Sequence, residues 1–243
     1  MRPIVNLFVA GLLLLYVTSC HVGNIVGVKG NGEITTQEMQ ISDYKELSVS
    51  SARTVIYEQK PGAASYIRIE VDENIYPLLE IKSENGRLSI KTVDHTNISP
   101  TKFTVYTNSP TLARVNIAGS TDVQLKGDLK TENFNIDIAG SGNVAADNLI
   151  CQSLRTEIAG SGDITLNGEA DNANCEIAGS GNTNISGMVI AKVKCQVAGS
   201  GDIYTHATES LQVSIAGSGN ITYKGSPKVE QSIAGSGKIK HID

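Results

Sequence analysis

The stretch Cys175-Glu176-Ile177-Ala178-Gly179-Ser180-Gly181-Asn182 decides the fold, because its Ala-Gly-Ser core recurs at Ala118, Ala139, Ala159, Ala178, Ala198, Ala216 and Ala234. The successive offsets are 21, 20, 19, 20, 18 and 18 residues. A period near 20 that drifts by a residue or two marks a solenoid, in which insertions sit in the corners while the strands keep register. Ahead of each Ala, polarity alternates: Val115/Ile117, Ile136/Ile138 and Val213/Ile215 fall on one face, Asn116, Asp137 and Ser214 on the other. That is the two-residue period of a strand. Glycines flanking the serine permit a sharp bend or a positive φ at the same place in every unit.

A second, weaker corner follows at Gly127, Gly168, Gly187 and Gly225, each nine residues after its Ala. Between the corners lie inward pairs such as Ile164/Leu166 and Ile221/Tyr223. The units keep one orientation and lack a two-residue hairpin signature between equal strands, so the sequence predicts a parallel coil rather than a stack of hairpins. With strands ~4.8 Å apart, the repeats would build a rod roughly 30 Å long. The fold class is therefore all-β, a parallel β-helix with about 20 residues per coil.

Upstream of the coil the chain divides into three stretches. Residues 1–20 open with Met1-Arg2, continue through an apolar run from Ile4 to Val17, and end in Thr18-Ser19-Cys20. A charged start, a short apolar core and small residues before a cut describe a signal peptide, and the run is shorter than the ~20 residues a spanning helix needs. Val17-Thr18-Ser19-Cys20 resembles the bacterial lipobox, which implies acylation at Cys20 and a lipid-anchored chain; the competing reading is a secretory signal with a chance cysteine. No Asp follows Cys20, so the outer membrane is the expected destination, with the leaflet left open. Residues 21–35 read as a tether, and residues 36–110 as a β-rich segment that caps or extends the coil of residues 111–243. Within it, Glu84-Asn85-Gly86-Arg87 is a tight-turn signal, and Asn74 to Leu79 suits a short helical turn.

A further resemblance covers roughly residues 40 to 241. Asp43-Tyr44-Lys45-Glu46-Leu47-Ser48-Val49, Ile69-Glu70-Val71-Asp72-Glu73-Asn74-Ile75, Leu88-Ser89-Ile90-Lys91 and the repeated Ile-Ala-Gly-Ser-Gly-(Asp/Asn)-Ile look like the putative auto-transporter adhesin family with the head GIN domain. The resemblance implies a right-handed β-helix in an envelope-exposed lipoprotein, and an adhesin-like role. One departure stands in the first unit, where Thr121 replaces the usual second Gly. A less strained first corner is expected there.

Composition limits the function. The 243 residues carry 25 acidic and 20 basic side chains, a net charge of -5, with no basic run, which argues against nucleic-acid binding. Stacked repeats convert sequence columns into ladders, and one follows the Ser-Gly corner: Asp122, Asn143, Asp163, Asn182, Asp202, Asn220 and then Lys238. Alternation of Asp with Asn puts carboxylates two rungs, about 10 Å, apart. As a site it would bind a cation or sugar hydroxyls; as structure, Asn and Asp bond their own corner backbone, and this is the favoured reading. No metal and no cofactor is expected.

The serine column (Ser120, Ser141, Ser161, Ser180, Ser200, Ser218, Ser236) lacks the Gly-x-Ser-x-Gly elbow and any recurring His or Asp partner, so a hydroxyl ladder along the stack is expected instead of nucleophiles. Gly140-Ser141-Gly142-Asn143 imitates a dinucleotide fingerprint but recurs with no helix after it. Cys175 and Cys195 should point inward on adjacent rungs as buried thiols, with a disulfide allowed by the compartment; Cys151 falls elsewhere in its unit. The expected function is non-enzymatic adhesion or binding of a glycan or envelope protein by a membrane-held rod. Two alternatives compete: a carbohydrate-active β-helix enzyme of the polysaccharide lyase or hydrolase type, and a purely structural component, including a homo-oligomer formed through a flat face or open end.

Overall fold

The computed structural model describes residues 27–93 and 96–243. Cys20, the signal segment and His95 lie outside the described residues. In chain order the strands are β1 (Val28–Lys29), β2 (Ile34–Gln40), β3 (Glu46–Val49), β4 (Thr54–Gln59), β5 (Tyr66–Asp72), β6 (Leu79–Glu84), β7 (Arg87–Thr92), β8 (Ile98–Ser99), β9 (Phe103–Ser109) and β10 (Arg114–Gly119). The repeats follow as β11 (Asp122–Gly140), β12 (Asn143–Gly160), β13 (Asp163–Gly179), β14 (Asn182–Gly199), β15 (Ile203–Gly217), β16 (Asn220–Lys224), β17 (Lys228–Gly235) and β18 (Lys238–His241).

From β10 to β18 every pairing is parallel and each coil lies on the next, forming a β-solenoid of about 6 turns with a period of about 20 residues. The register keeps like residues together, as in Ala118↔Ala139, Ala139↔Ala159 and Ala159↔Ala178. Inward columns supply the core: Val115, Ile136, Thr156, Cys175, Cys195 and Val213 stack in one, Ile117, Ile138, Ile158, Ile177, Val197 and Ile215 in another, all buried. Burial of these aliphatic side chains is the dominant favourable term, since isolated coils cannot cover their own apolar faces.

The Gly-Ser-Gly corner is imposed by stacking. Gly160 has φ +139°, and a Cβ there would stand 2.2 Å from the Gly140 carbonyl oxygen. Gly162 has no such φ, yet a Cβ would stand 2.2 Å from the Gly142 oxygen and 3.0 Å from a methyl of Ile138, so the tight corner excludes any side chain. Thr121 is accommodated because the turn beneath it is built around Ala52; its buried hydroxyl donates to the Ala52 carbonyl at 2.7 Å. The second corner is gentler than a break. β11 to β14 run straight through it, with register shifts at Leu125/Asp128, Ala146/Leu149, Thr165/Asn167 and Ile185/Ile190. Such bulges bend a strand while preserving most of its ladder.

The N-terminal segment both extends and caps the coil. β3 and β4 each stack on a repeat in parallel, β3 on β10 and β4 on β11, while β7 and β9 add further parallel strands. Antiparallel β6 then closes one face and β5 with β2 the other. The turn between β6 and β7 has φ of 52° at Asn85 and 74° at Gly86, the left-handed pair a two-residue hairpin requires. Tyr76–Leu78 forms a single 3-10 turn beside the buried Ile75.

β1 and the start of β2 lie inside the stretch expected to be a tether. Asp72 gathers that backbone: its buried carboxylate accepts from the Gly32 amide at 2.8 Å, and from the Thr101 hydroxyl and amide at 2.6 and 2.8 Å. Desolvation raises the Asp72 pKa, but these hydrogen bonds outweigh it and hold the group down at about 2. Asn74 continues the clamp, donating to the Lys29 carbonyl at 2.7 Å.

A groove and a ladder on either side of the corner

Outward residues before the Gly-Ser-Gly corner form a groove of about 740 Å³ that runs along the stack. Its floor is the exposed methyl column Ala118, Ala139, Ala159, Ala178, Ala198 and Ala216; beside it stand Asn116, Asp137, Glu157, Glu176 and Gln196, with Ser48 and Ser50 at the N-terminal end. Residues some 20 apart in the chain meet here at one strand spacing, so Asp137, Glu157 and Glu176 form three adjacent carboxylates about 5 Å from rung to rung. Like charges at that distance repel. Arginines on the next outward column offset this: Arg114 reaches Asp137 at 2.7 Å, and Arg155 bridges Glu157 and Glu176. Asn174 also donates to Glu176 at 2.8 Å. The result is an apolar strip edged by half-buried carboxylates and amides, each of the three carboxylates keeping a partner on its own or the adjacent rung.

Past the corner, the Asp/Asn column is knitted along the stack. The amides of Asn143, Asn182 and Asn220 donate to Asp122, Asp163 and Asp202 at 2.7, 2.9 and 2.9 Å. Each side-chain oxygen of Asn143, Asp163, Asn182 and Asp202 accepts the backbone N–H of the next rung, at 2.8 to 3.1 Å. One oxygen of each of the Asp122, Asp163 and Asp202 carboxylates is thus occupied by its neighbour.

The model of the putative auto-transporter adhesin family, head GIN domain, matches residues 43–227. The chain belongs to this family. Among solved structures, a putative adhesin from Bacteroides fragilis superposes with a TM-score of 0.84 at 28% identity, over 89% of this chain and 100% of that one. A putative lipid binding protein from Parabacteroides distasonis gives 0.76 at 31% identity, over 89% and 99%. A putative adhesin from Parabacteroides merdae gives 0.72 at 29% identity over the same shares. No curated protein matches the chain. The family and two of these three neighbours carry putative adhesin names, and the adhesin-like family suggests a protein of the cell envelope.

In this head GIN chain the serines differ from expectation. The backbone, not the hydroxyls, makes the ladder: Ser141, Ser161 and Ser180 donate their N–H groups to Gly119, Gly140 and Gly160 at 2.8 to 2.9 Å. The side chains are exposed at the corner. Cys175 and Cys195 are register partners, fully buried and unlinked; Cys151 is a third buried free thiol. Burial pushes the Cys151 and Cys175 thiols up to about 11 and Cys195 well above its ordinary value, which keeps them in the unreactive thiol form. The groove itself was missed by sequence reasoning. Its signal was present in the column of outward alanines, which the corner glycines overshadow.

Proposed function

We propose that this chain is a non-enzymatic, adhesin-like envelope protein, held to the outer membrane by acylated Cys20, that binds an extended partner in the alanine-floored groove. The groove carries this reading: it crosses successive rungs with one repeated floor and one acceptor-rich edge, so it suits a ligand that is itself extended and repeated, such as a glycan. Carboxylate and amide acceptors at a regular spacing match sugar hydroxyls, while the methyl strip matches the apolar face of a sugar ring. The Asp122-to-Asn220 ladder is a weaker binding edge, because its side chains are bonded from rung to rung, to one another and to the backbone, and lie outside the groove and its apolar floor.

The apolar floor favours one other occupant. The Parabacteroides distasonis relative is described as a putative lipid binding protein, and an acyl chain laid along Ala139, Ala159 and Ala178 would rest on a floor of methyl groups.

Binding of residues 27–243 to glycan, envelope-protein and acyl-chain arrays tests the proposal, with Ala159→Tyr/Ala178→Tyr to fill the groove and Asp163→Ala/Asp202→Ala to open the ladder. A saturable glycan or envelope-protein signal lost only in the tyrosine variant is the expected result. Loss only in the ladder variant would move the site past the corner, and retention in both would overturn it. For the anchor, Cys20→Ala should release the protein from the membrane fraction; unchanged partitioning and mobility would refute acylation there.

A further inference from the structure

The last rung is finished differently from those before it. β17 pairs only with β15 and β18 only with β16, so each leaves one backbone edge unpaired. In the inward column Ile117, Ile138, Ile158, Ile177, Val197 and Ile215 each side chain is 2% exposed, whereas Ile233 at its end is 39% exposed. The opposite end of the coil also carries two free edges. β6 ends the face to which β17 belongs, and β2 ends the face to which β18 belongs. Ile34 and Met39 of β2 are among the exposed large apolar residues.

We propose that a second copy of this chain stacks head to tail on the first, the C-terminal rung of one copy pairing with the N-terminal edges of the next. Strand direction permits it on both faces. β6 runs against the coil strands and would pair antiparallel with β17, while β2 runs with them and would pair parallel with β18. Side chains of β6 alternate so that Leu79 and Ile81 share the inner face with buried Ile90; on β17 the inner residues are Val229, Gln231 and Ile233. Setting Ile81 opposite Gln231 of the next copy places Leu79 on Ile233, Lys82 on Glu230 and Glu84 on Lys228.

Charge selects this arrangement. Lys82 already pairs with Glu80, and Lys228 with Glu230 at 2.8 Å, so the junction joins two short ion pairs into one ladder of alternating sign. On the other face, Lys238 and Lys240 are the outward residues of β18, and Glu38 is the outward carboxylate of β2. A two-fold, tail-to-tail contact would instead set Lys238 and Lys240 against their own copies. The head-to-tail contact is heterologous and does not close, so it propagates as a row. It is independent of what the groove holds.

The test uses residues 27–243, since the solved relatives match 89% of this chain and are themselves covered over 99–100%, and so fold as this portion alone. Sedimentation velocity should show association that grows with concentration and weakens with salt. Lys228→Glu or Glu84→Lys alone should weaken it about tenfold, and the two together should restore it, with circular dichroism confirming the fold. Oxidised Glu80→Cys/Ser232→Cys protein should give linked dimers, trimers and higher species. A monomer at every concentration, charge reversals without effect, or assembly that stops at dimers linked through Gln231→Cys would overturn the proposal.

Discussion

Thr183→Val should stabilise the protein. The Thr183 side chain is fully buried, its hydroxyl has no hydrogen-bond partner, and its stack neighbours are Ile164 and Ile203. Valine has nearly the same shape, so substitution leaves no cavity and removes an oxygen stripped of water. An unsatisfied buried hydroxyl costs roughly 1–3 kcal/mol, and the added methyl contributes burial of its own. A gain of about 1–2 kcal/mol is expected, which for a domain of this size raises Tm by roughly 2–8 °C. Urea unfolding followed by circular dichroism measures it, with the exposed Thr165→Val as control, expected within about 0.5 kcal/mol of the parent. Coils stabilise their neighbours, so amide exchange should slow most in β13 and β14. A loss of stability in Thr183→Val would show that the hydroxyl is bonded and that the reasoning about this column is wrong.

Other outcomes follow from the same geometry. Gly162→Ala should cost about 3 kcal/mol or more, since its Cβ would meet the Gly142 carbonyl at 2.2 Å; denaturant unfolding within 1 kcal/mol of the parent would contradict the stacked corner. Asp72 has its pKa depressed to about 2, so its contribution to stability is fully present above the unfolded value near 4 and is lost as pH falls through about 2. Amide exchange at Gly32 and Thr101 should therefore accelerate selectively between pH 4 and pH 2, a dependence that Asp72→Asn abolishes.

Much of the coil is legible because its physics repeats. Ala-Gly-Ser-Gly marks each sharp corner, and alternation around Ile177 or Val213 identifies the inward face without any structure. Glu84-Asn85-Gly86-Arg87 announces its hairpin for the same local reason. The cap is harder, since β3 pairs with β7 and β10 while β4 pairs with β9 and β11, an interleaving that no local signal encodes. The clamp around Asp72 joins residues 29 to 40 positions apart, which is why no local signal within residues 21–35, read as a tether, announces the described part of it as structured. The serine hydroxyls misled because sequence shows the side chain, whereas the backbone N–H makes the bond.

What the coil does not demand is more informative about function than what it does. Inward aliphatics and corner glycines are required for closure, but the alanine before each corner faces solvent, where a β-branched or aromatic residue would suit a strand better. Seven alanines at one outward position therefore work against strand propensity, and a flat, unobstructed groove floor is the gain that the proposed function would assign to them. Ala159→Tyr/Ala178→Tyr separates the two explanations. If alanine serves only the fold, the pair should destabilise by crowding the corner, by more than about 1 kcal/mol. If alanine keeps the groove open, stability should hold or rise by up to about 1 kcal/mol, the span of strand propensities, while ligand capture is lost. Unfolding and binding measured on the same variant decide between them, and a destabilised protein that still binds would remove the groove from the account altogether.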